Sequence, residues 1–292
     1  MIRAITFDLW DTLIANDSDE PKRADLAMPT KYDKRRELVW QTLRDHGIYR
    51  PSASRLGAVT LARESRTERI RGELSTDFDP TTPEPARPAG ILIARESVRV
   101  AYDALEAAFN HSWLQYQITW PLSEQVEVLL ATVEADLPDD VKAKLIKELS
   151  RVELEVLPEV IRRQHDNVAA LAERYVLGIV SDTINTPARS LRTLLDLVKF
   201  RSFSTFAFSD EVGRAKPHAD MFLSALAALD VSPHESLHIG DREVNDVRGA
   251  KALGMKSILF VPPGKPNPAV SDADAICRDP DELLTVVDQL AR

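Results

Sequence analysis

From Glu159 onward the chain alternates segments of helical apolar spacing with short apolar runs, and this alternation constrains the fold more than any other feature. A helix over Glu159 to Arg174 leads into Val176-Leu177-Gly178-Ile179-Val180, and one over Pro187 to Val198 leads into Thr205 to Phe208. A helix over Ala219 to Leu229 precedes Leu237-His238-Ile239-Gly240-Asp241, and another from Asp246 to Leu253 precedes Ser257-Ile258-Leu259-Phe260-Val261. Short apolar runs joined by helices make parallel strands buried on both faces. The expected fold is therefore α/β, a Rossmann-like, doubly wound parallel sheet. Ile2 to Phe7 reads as one more buried strand, and it belongs to the same sheet although it stands alone at the start.

Between that strand and Pro158 the spacing is helical throughout. Lys34 to Gly47 places Leu38, Val39, Thr42 and Leu43 on one side, and further helices are expected over Ser52 to Glu73, Ile91 to Tyr116, Ser123 to Glu134 and Asp139 to Val156. Pro80, Pro83, Pro85 and Pro88 rule out a continuing helix, so 77–88 reads as a loop. The domain expectation is a discontinuous core of 1–16 and 158–292 and a large inserted all-helical cap of 17–157, with hinges near Ile14 to Asp17 and Val156 to Glu159.

Composition narrows the partners. Hydrophobic residues make up 44% and charged residues 28%, enough apolar material for a sizeable core. A net charge of −9 argues against a general nucleic-acid surface. No apolar run approaches the roughly 18 residues of a membrane span. The first residues enter a strand without a signal-peptide pattern, which places the expectation in the cytoplasm. The single cysteine, Cys277, permits no internal disulfide. A small anionic substrate would need local cations or helix-start N–H groups. The pattern does not indicate an oligomeric state, since apolar positions of the cap could serve its own core or a partner's.

Four strand ends carry polar residues: Asp8, then Ser181-Asp182, then Lys216 in Gly213-Arg214-Ala215-Lys216-Pro217, then Gly240-Asp241 with Asp246 five residues on. Ligands of open α/β sheets bind outside the carboxyl ends of the strands. Singly, each residue has a structural reading as a turn residue, helix cap or solvated lysine. In combination they describe one site. Their order and spacing resemble the haloacid dehalogenase superfamily, in its phosphatase-rich branch with a cap inserted after the first motif.

The resemblance implies that Asp8 attacks a phosphorus atom and carries an aspartyl phosphate, with a small phosphorylated metabolite as substrate. It implies Mg²⁺ held by the Asp8 carboxylate, the Trp10 backbone carbonyl and Asp241, with Asp246 nearby as a ligand through water or as an orienter of Lys216. Ser181 and the N–H groups after it, beginning with Asp182, would bind phosphoryl oxygens. Lys216 would stabilise the transferring charge and keep Asp8 ionised.

One position departs from the pattern. The phosphatases carry a second aspartate two residues after the nucleophile, where it protonates the leaving alkoxide, and here that place holds Trp10. Asp11 is expected to point elsewhere unless the turn brings it back. Three readings follow: a phosphohydrolase whose substrate has an acidic leaving group, a carbon–halogen hydrolase, or a metal-binding protein with little turnover. Gly240-Asp241 favours the first, because a second carboxylate would repel a haloacid unless a cation intervened. His234 and His238 do not read as a metal pair, since one lies in a turn and the other in a strand.

Overall fold

The computed structural model describes residues 1–46, 93–266, 268 and 270–291. The helix expected over Ser52 to Glu73 and the loop expected over 77–88 lie outside the described residues. Two compact units divide the chain.

The first unit comprises Met1–Lys31, Ala108–Leu122 and Ser150–Arg292. Its strands are β1 (Ala4–Phe7), β2 (Val176–Ser181), β3 (Thr205–Phe208), β4 (Ser236–Gly240), β5 (Lys256–Phe260) and β6 (Ala275–Cys277). They form one sheet in the order β3-β2-β1-β4-β5-β6, and every neighbouring pair is parallel. The α/β doubly wound expectation is therefore met, and the N-terminal strand lies at the centre of the sheet.

Alternation along the strands explains the two-sided core. Ile5, Phe7, Ile179, Leu237 and Ile239 pack into one apolar cluster with Leu191, Leu194 and Leu195 of the helix Ala188–Leu197. Val180 and Ala207 face the other way, onto Met221, Phe222, Ala225 and Leu226 of the helix Ala219–Leu229. Successive side chains point to opposite faces of a strand, and helices cover both faces, so each strand has to be apolar nearly throughout.

Differences from the expected elements have local causes. The helix expected from Glu159 begins only at Gln164, because the preceding residues pair backbone to backbone with the segment after β1: Ile14 bridges Val160, and Ala15 and Glu159, like Leu13 and Ile161, share hydrogen bonds. The helix expected over Asp139 to Val156 ends at Leu149 and is followed by a single 3₁₀ turn at Val152–Leu154. Asp246 lies inside a π-helical turn, Glu243–Arg248, with ordinary helix resuming over Gly249–Ala252. The strand β6 and the final helix, Leu283–Leu290, have no counterpart in the expected pattern.

The sheet's unit also takes in 17–31, 108–122 and 150–157, which the sequence groups with the inserted helices. Buried polar contacts hold them there. Lys31 reaches Asp19 and Glu153, each at 2.9 Å, and Thr119 donates to Ser209 at 2.8 Å.

The second unit, Tyr32–Ala107 and Ser123–Leu149, contains only helices among its described residues. Lys31–His46 runs almost entirely within it and buries Val39 and Leu43. Arg95–Tyr116 contributes Val98, Ala101 and Leu105, Leu122–Thr132 contributes Val126, Leu129 and Leu130, and Asp139–Leu149 contributes Val141, Leu145 and Leu149. Buried positions three or four apart give each helix one apolar stripe. No helix among the described residues is long and apolar enough to cross a membrane.

Candidate active site

The strand order reverses between β1 and β4, and there the carboxyl ends open a crevice. Asp8 follows β1, and its N–H donates to Ile239 of β4 at 2.8 Å. Phe7 lies level with Ile239, so Asp8 and Asp241 leave adjacent strand ends one residue out of step. Ser181 ends β2, and Lys216 lies in the loop beyond β3. These four, with Trp10, Asp11, Asn16, Trp113, Asp182, Ile184 and Arg242, line one cleft.

Lys216 organises the floor. Its ammonium donates to Asp8 Oδ1 at 2.6 Å and to Asp246 Oδ1 at 2.5 Å, with all three side chains buried. The Lys216 backbone N–H donates to Asp182 Oδ1 at 2.8 Å. Asp246 has no exposed surface, and its Oδ2 accepts from the Arg242 N–H at 2.9 Å. His238 Nε2 lies 3.2 Å from Asp246 Oδ1, and its Nδ1 lies 2.8 Å from Thr6 Oγ1.

The π-turn serves this arrangement. Both Asp246 and Val247 donate their N–H groups to the Arg242 carbonyl, which widens the turn around the buried carboxylate. Gly240 is required by the same packing: a Cβ there would stand 2.3 Å from Asp246 Cγ.

Burial and charge set the protonation of the floor. Burial pushes Asp8 up against the pull of Lys216, and the Asp246 charge adds to the rise. Burial, with the charges of Asp8 and Asp246, pushes Asp241 up to about 7. Burial opposes ionisation of Asp246, but Lys216 and His238 outweigh it and hold that carboxyl well below the usual range. Burial likewise works against the Lys216 charge, and Asp246 and Asp8 overcome it, so the lysine stays protonated. The floor is short of positive charge.

An oxygen-binding cation fits that shortage. Carboxylate oxygens of Asp8, Asp241 and Asp246 lie within 4.8 Å of one another. Three hard oxygen donors and no sulfur suit a hard divalent ion. Both Asp246 oxygens are already engaged, so Asp8 and Asp241 offer the accessible lone pairs.

Ser181 is fully buried, and its hydroxyl has no hydrogen-bond partner among the described residues. The carboxylate of Asp182 is committed to the Lys216 N–H and to Asn245, which leaves its backbone N–H as its means of meeting an anion. The next N–H, that of Thr183, donates to Ser209 at 2.7 Å and is unavailable. Trp10 bridges Ile14 beyond the end of β1 and still lines the cleft. Asp11, expected to turn away, lines it too: its φ of 55° is left-handed, and its Oδ1 accepts from Asn16 N–H at 3.0 Å. The aromatic residues Trp113, Tyr116 and Trp120 read as core in the sequence, and Trp113 lines the cleft instead; sequence spacing gave no sign of Arg242 or of the buried His238–Thr6 pair.

The site is thus a group of carboxylates at the switch point of a parallel sheet. The family model of haloacid dehalogenase-like hydrolases matches residues 2–254, and the chain belongs to that family. A glyceraldehyde 3-phosphate phosphatase of Pyrococcus furiosus is 38% identical over 88 residues, which are 30% of this chain and 36% of the relative. A phosphoglycolate phosphatase of Escherichia coli O157:H7 is 27% identical over 154 residues, 50% of this chain and 60% of the relative. The chain thus matches less than two thirds of the length of either. A 2-haloacid dehalogenase from Pseudomonas syringae pv. Tomato DC3000 shares the fold end to end, with a TM-score of 0.57, 22% identity and full coverage of both chains.

Proposed function

We propose that the protein is a Mg²⁺-dependent phosphohydrolase acting on a small phosphorylated metabolite through an aspartyl phosphate on Asp8. The observation that carries this reading is the carboxylate pair Asp8 and Asp241 at the switch point, beside a protonated, buried Lys216 and an unpartnered Ser181 hydroxyl. The Asp8 carboxylate, the Trp10 carbonyl and Asp241 would hold the metal, with Asp246 acting through water or through Lys216. Bound Mg²⁺ would screen an anionic substrate from Asp8.

The remaining steps belong to the chain. Asp8 attacks phosphorus, the P–O bond to the leaving group breaks, and water then cleaves the acyl phosphate to return the carboxylate. Ser181 Oγ–H and the Asp182 N–H donate to phosphoryl oxygens, and Lys216 offsets the charge that develops there. Trp10 cannot pass a proton to the departing oxygen, so the reading favours leaving groups acidic enough to depart unaided. Phosphatase-named relatives support phosphoryl chemistry. Residues 17–157 are assigned as the inserted cap, and the cytoplasm as the compartment.

The test is phosphate release from a panel of esters and acyl phosphates, with Mg²⁺ and with chelator, beside Trp10→Asp. Strong metal-dependent cleavage of activated substrates, extended to plain esters by Trp10→Asp, supports the reading. Halide release from haloacids that survives the chelator replaces it with dehalogenation.

A further inference from the structure

Two cations line the cleft, and only one is committed. Lys216 is bound by Asp8 and Asp246. Among the described residues the Arg242 guanidinium makes no hydrogen bond or ion pair; it rests 5.6 Å from the centre of the Trp113 ring. That separation is within the range of a cation–π contact. Trp113 lines the same cleft, and its indole N–H is buried without a hydrogen-bond partner among the described residues. A buried donor left unmet is costly and calls for an explanation.

The placement separates these groups from the phosphoryl donors. Ser181 and Lys216 come from the β2 and β3 side of Asp8, whereas Arg242 follows β4 on the other side. Arg242 also feels the charge of Asp241 without pairing to it. A cation–π contact narrows the positions a guanidinium takes, and its planar fork grips a carboxylate or phosphate with two hydrogen bonds. Asp11, another acid on this lining, accepts from the Asn16 N–H.

We propose that Arg242 and Trp113 form a subsite for a second anionic group, a carboxylate or a phosphate, on the departing part of the substrate. The preferred substrates are then acyl phosphates or phosphoanhydrides whose departing part carries a further carboxylate or phosphate, not ones whose departing part is neutral. The assignment of the first anionic group to Asp8's side rests on the phosphohydrolase reading.

Isothermal titration of the full chain in Mg²⁺ buffer, with three non-hydrolysable phosphonates of matched length, tests the subsite. Propylphosphonate has an apolar tail, phosphonopropionate a carboxylate and ethane bisphosphonate a second phosphonate. At least one charged-tail probe should bind about tenfold or more tightly than propylphosphonate, as a charge-assisted bond implies. The ranking of the two charged probes tells carboxylate from phosphate. In Arg242→Met, which keeps an apolar stem against Trp113, the preference should fall below about twofold, and Trp113→Phe should lower it about two- to threefold. Arg242→Gln stands in should the methionine variant not fold. Equal affinity for all three probes, no binding of any, or a preference that persists in both Arg242 variants overturns the proposal. Phosphate release is measured apart from binding: tail preference without turnover removes the phosphohydrolase reading and keeps the subsite, and turnover without tail preference does the reverse.

Discussion

Two buried lysines in the sheet's unit are surrounded by carboxylates, and the pairing around them differs. Lys31 lies 2.9 Å from Asp19 and Glu153 and 3.1 Å from Asp17, while the neighbouring Arg23, without exposed surface, reaches Asp19, Glu155 and the Val152 carbonyl. Every carboxylate of that cluster meets a cation. At the strand ends, Lys216 serves Asp8 and Asp246, and Asp241 makes no ion pair among the described residues. The first cluster gives each of its four carboxylates a cation partner and ties 17–31 to 152–155. The second leaves a carboxyl pushed up to about 7 and so has use for a cation from outside. A site with use for an outside cation can thus be told from a structural ion cluster by a carboxylate that no cation of the described residues meets.

The sharpest challenge to that distinction is Asp8→Asn. Phosphate release should fall by on the order of 10⁴-fold or more in steady-state kinetics, since the amide would remove the proposed nucleophile. Next comes the lysine pair itself. Both Lys31→Met and Lys216→Met should lose about 3–5 kcal/mol in denaturant unfolding, because each strands buried carboxylates. Only Lys216→Met should also abolish turnover per folded molecule at a temperature where both remain native. If Lys31→Met abolishes turnover as well, the two clusters are not separate in function.

Metal is the third probe. Mg²⁺ at about a hundred times its dissociation constant should stabilise the wild type by about 2.7 kcal/mol. Asp241→Asn should remove most of that gain in thermal melts, and substitutions in the Lys31 cluster should not.

The smallest effect concerns pH. Burial, opposed by Lys216, pushes the Asp182 carboxyl from 3.8 up to about 6. The folded protein holds this proton more tightly than the unfolded chain. The group's contribution is therefore complete below pH 3.8 and is lost as pH rises through about 6. Because Asp182 is half-buried, the effect is on the order of 1 kcal/mol. Asp182→Asn should flatten the dependence of melting temperature on pH over this window, and an unchanged profile would contradict the assignment.

The fold was legible in the sequence wherever one periodicity ran unbroken. The strands ending at Phe7, Ser181, Phe208 and Gly240 were apparent, and with them Asp8, Ser181, Lys216 and Asp241, because register and chain direction place all strand ends on one edge. Asp246 was legible from its spacing, but not its surroundings. The π-turn that holds it depends on the Arg242 backbone and on space left by Gly240, neither of which has a periodic signature. Ala275–Cys277 is three residues long, too short to show alternation. Trp113 and Thr119 reach the sheet's unit from the long insertion, where sequence spacing reports which face is apolar and not what it meets. The sequence points to Asp182 as a phosphate contact through its N–H; that its carboxylate anchors the Lys216 backbone, a contact across 34 positions, no local pattern encodes.

Gly240 has a consequence apart from charge. With 2.3 Å between a would-be Cβ and Asp246 Cγ, the end of β4 and the buried carboxyl share one volume. Asp246 is wedged as well as bonded. Salt, which weakens attraction between charges, leaves a wedge intact; a single methyl group at residue 240 would not, and would force the carboxyl and the lysine it holds out of register together. The most tightly constrained part of this site is a space with no side chain of its own.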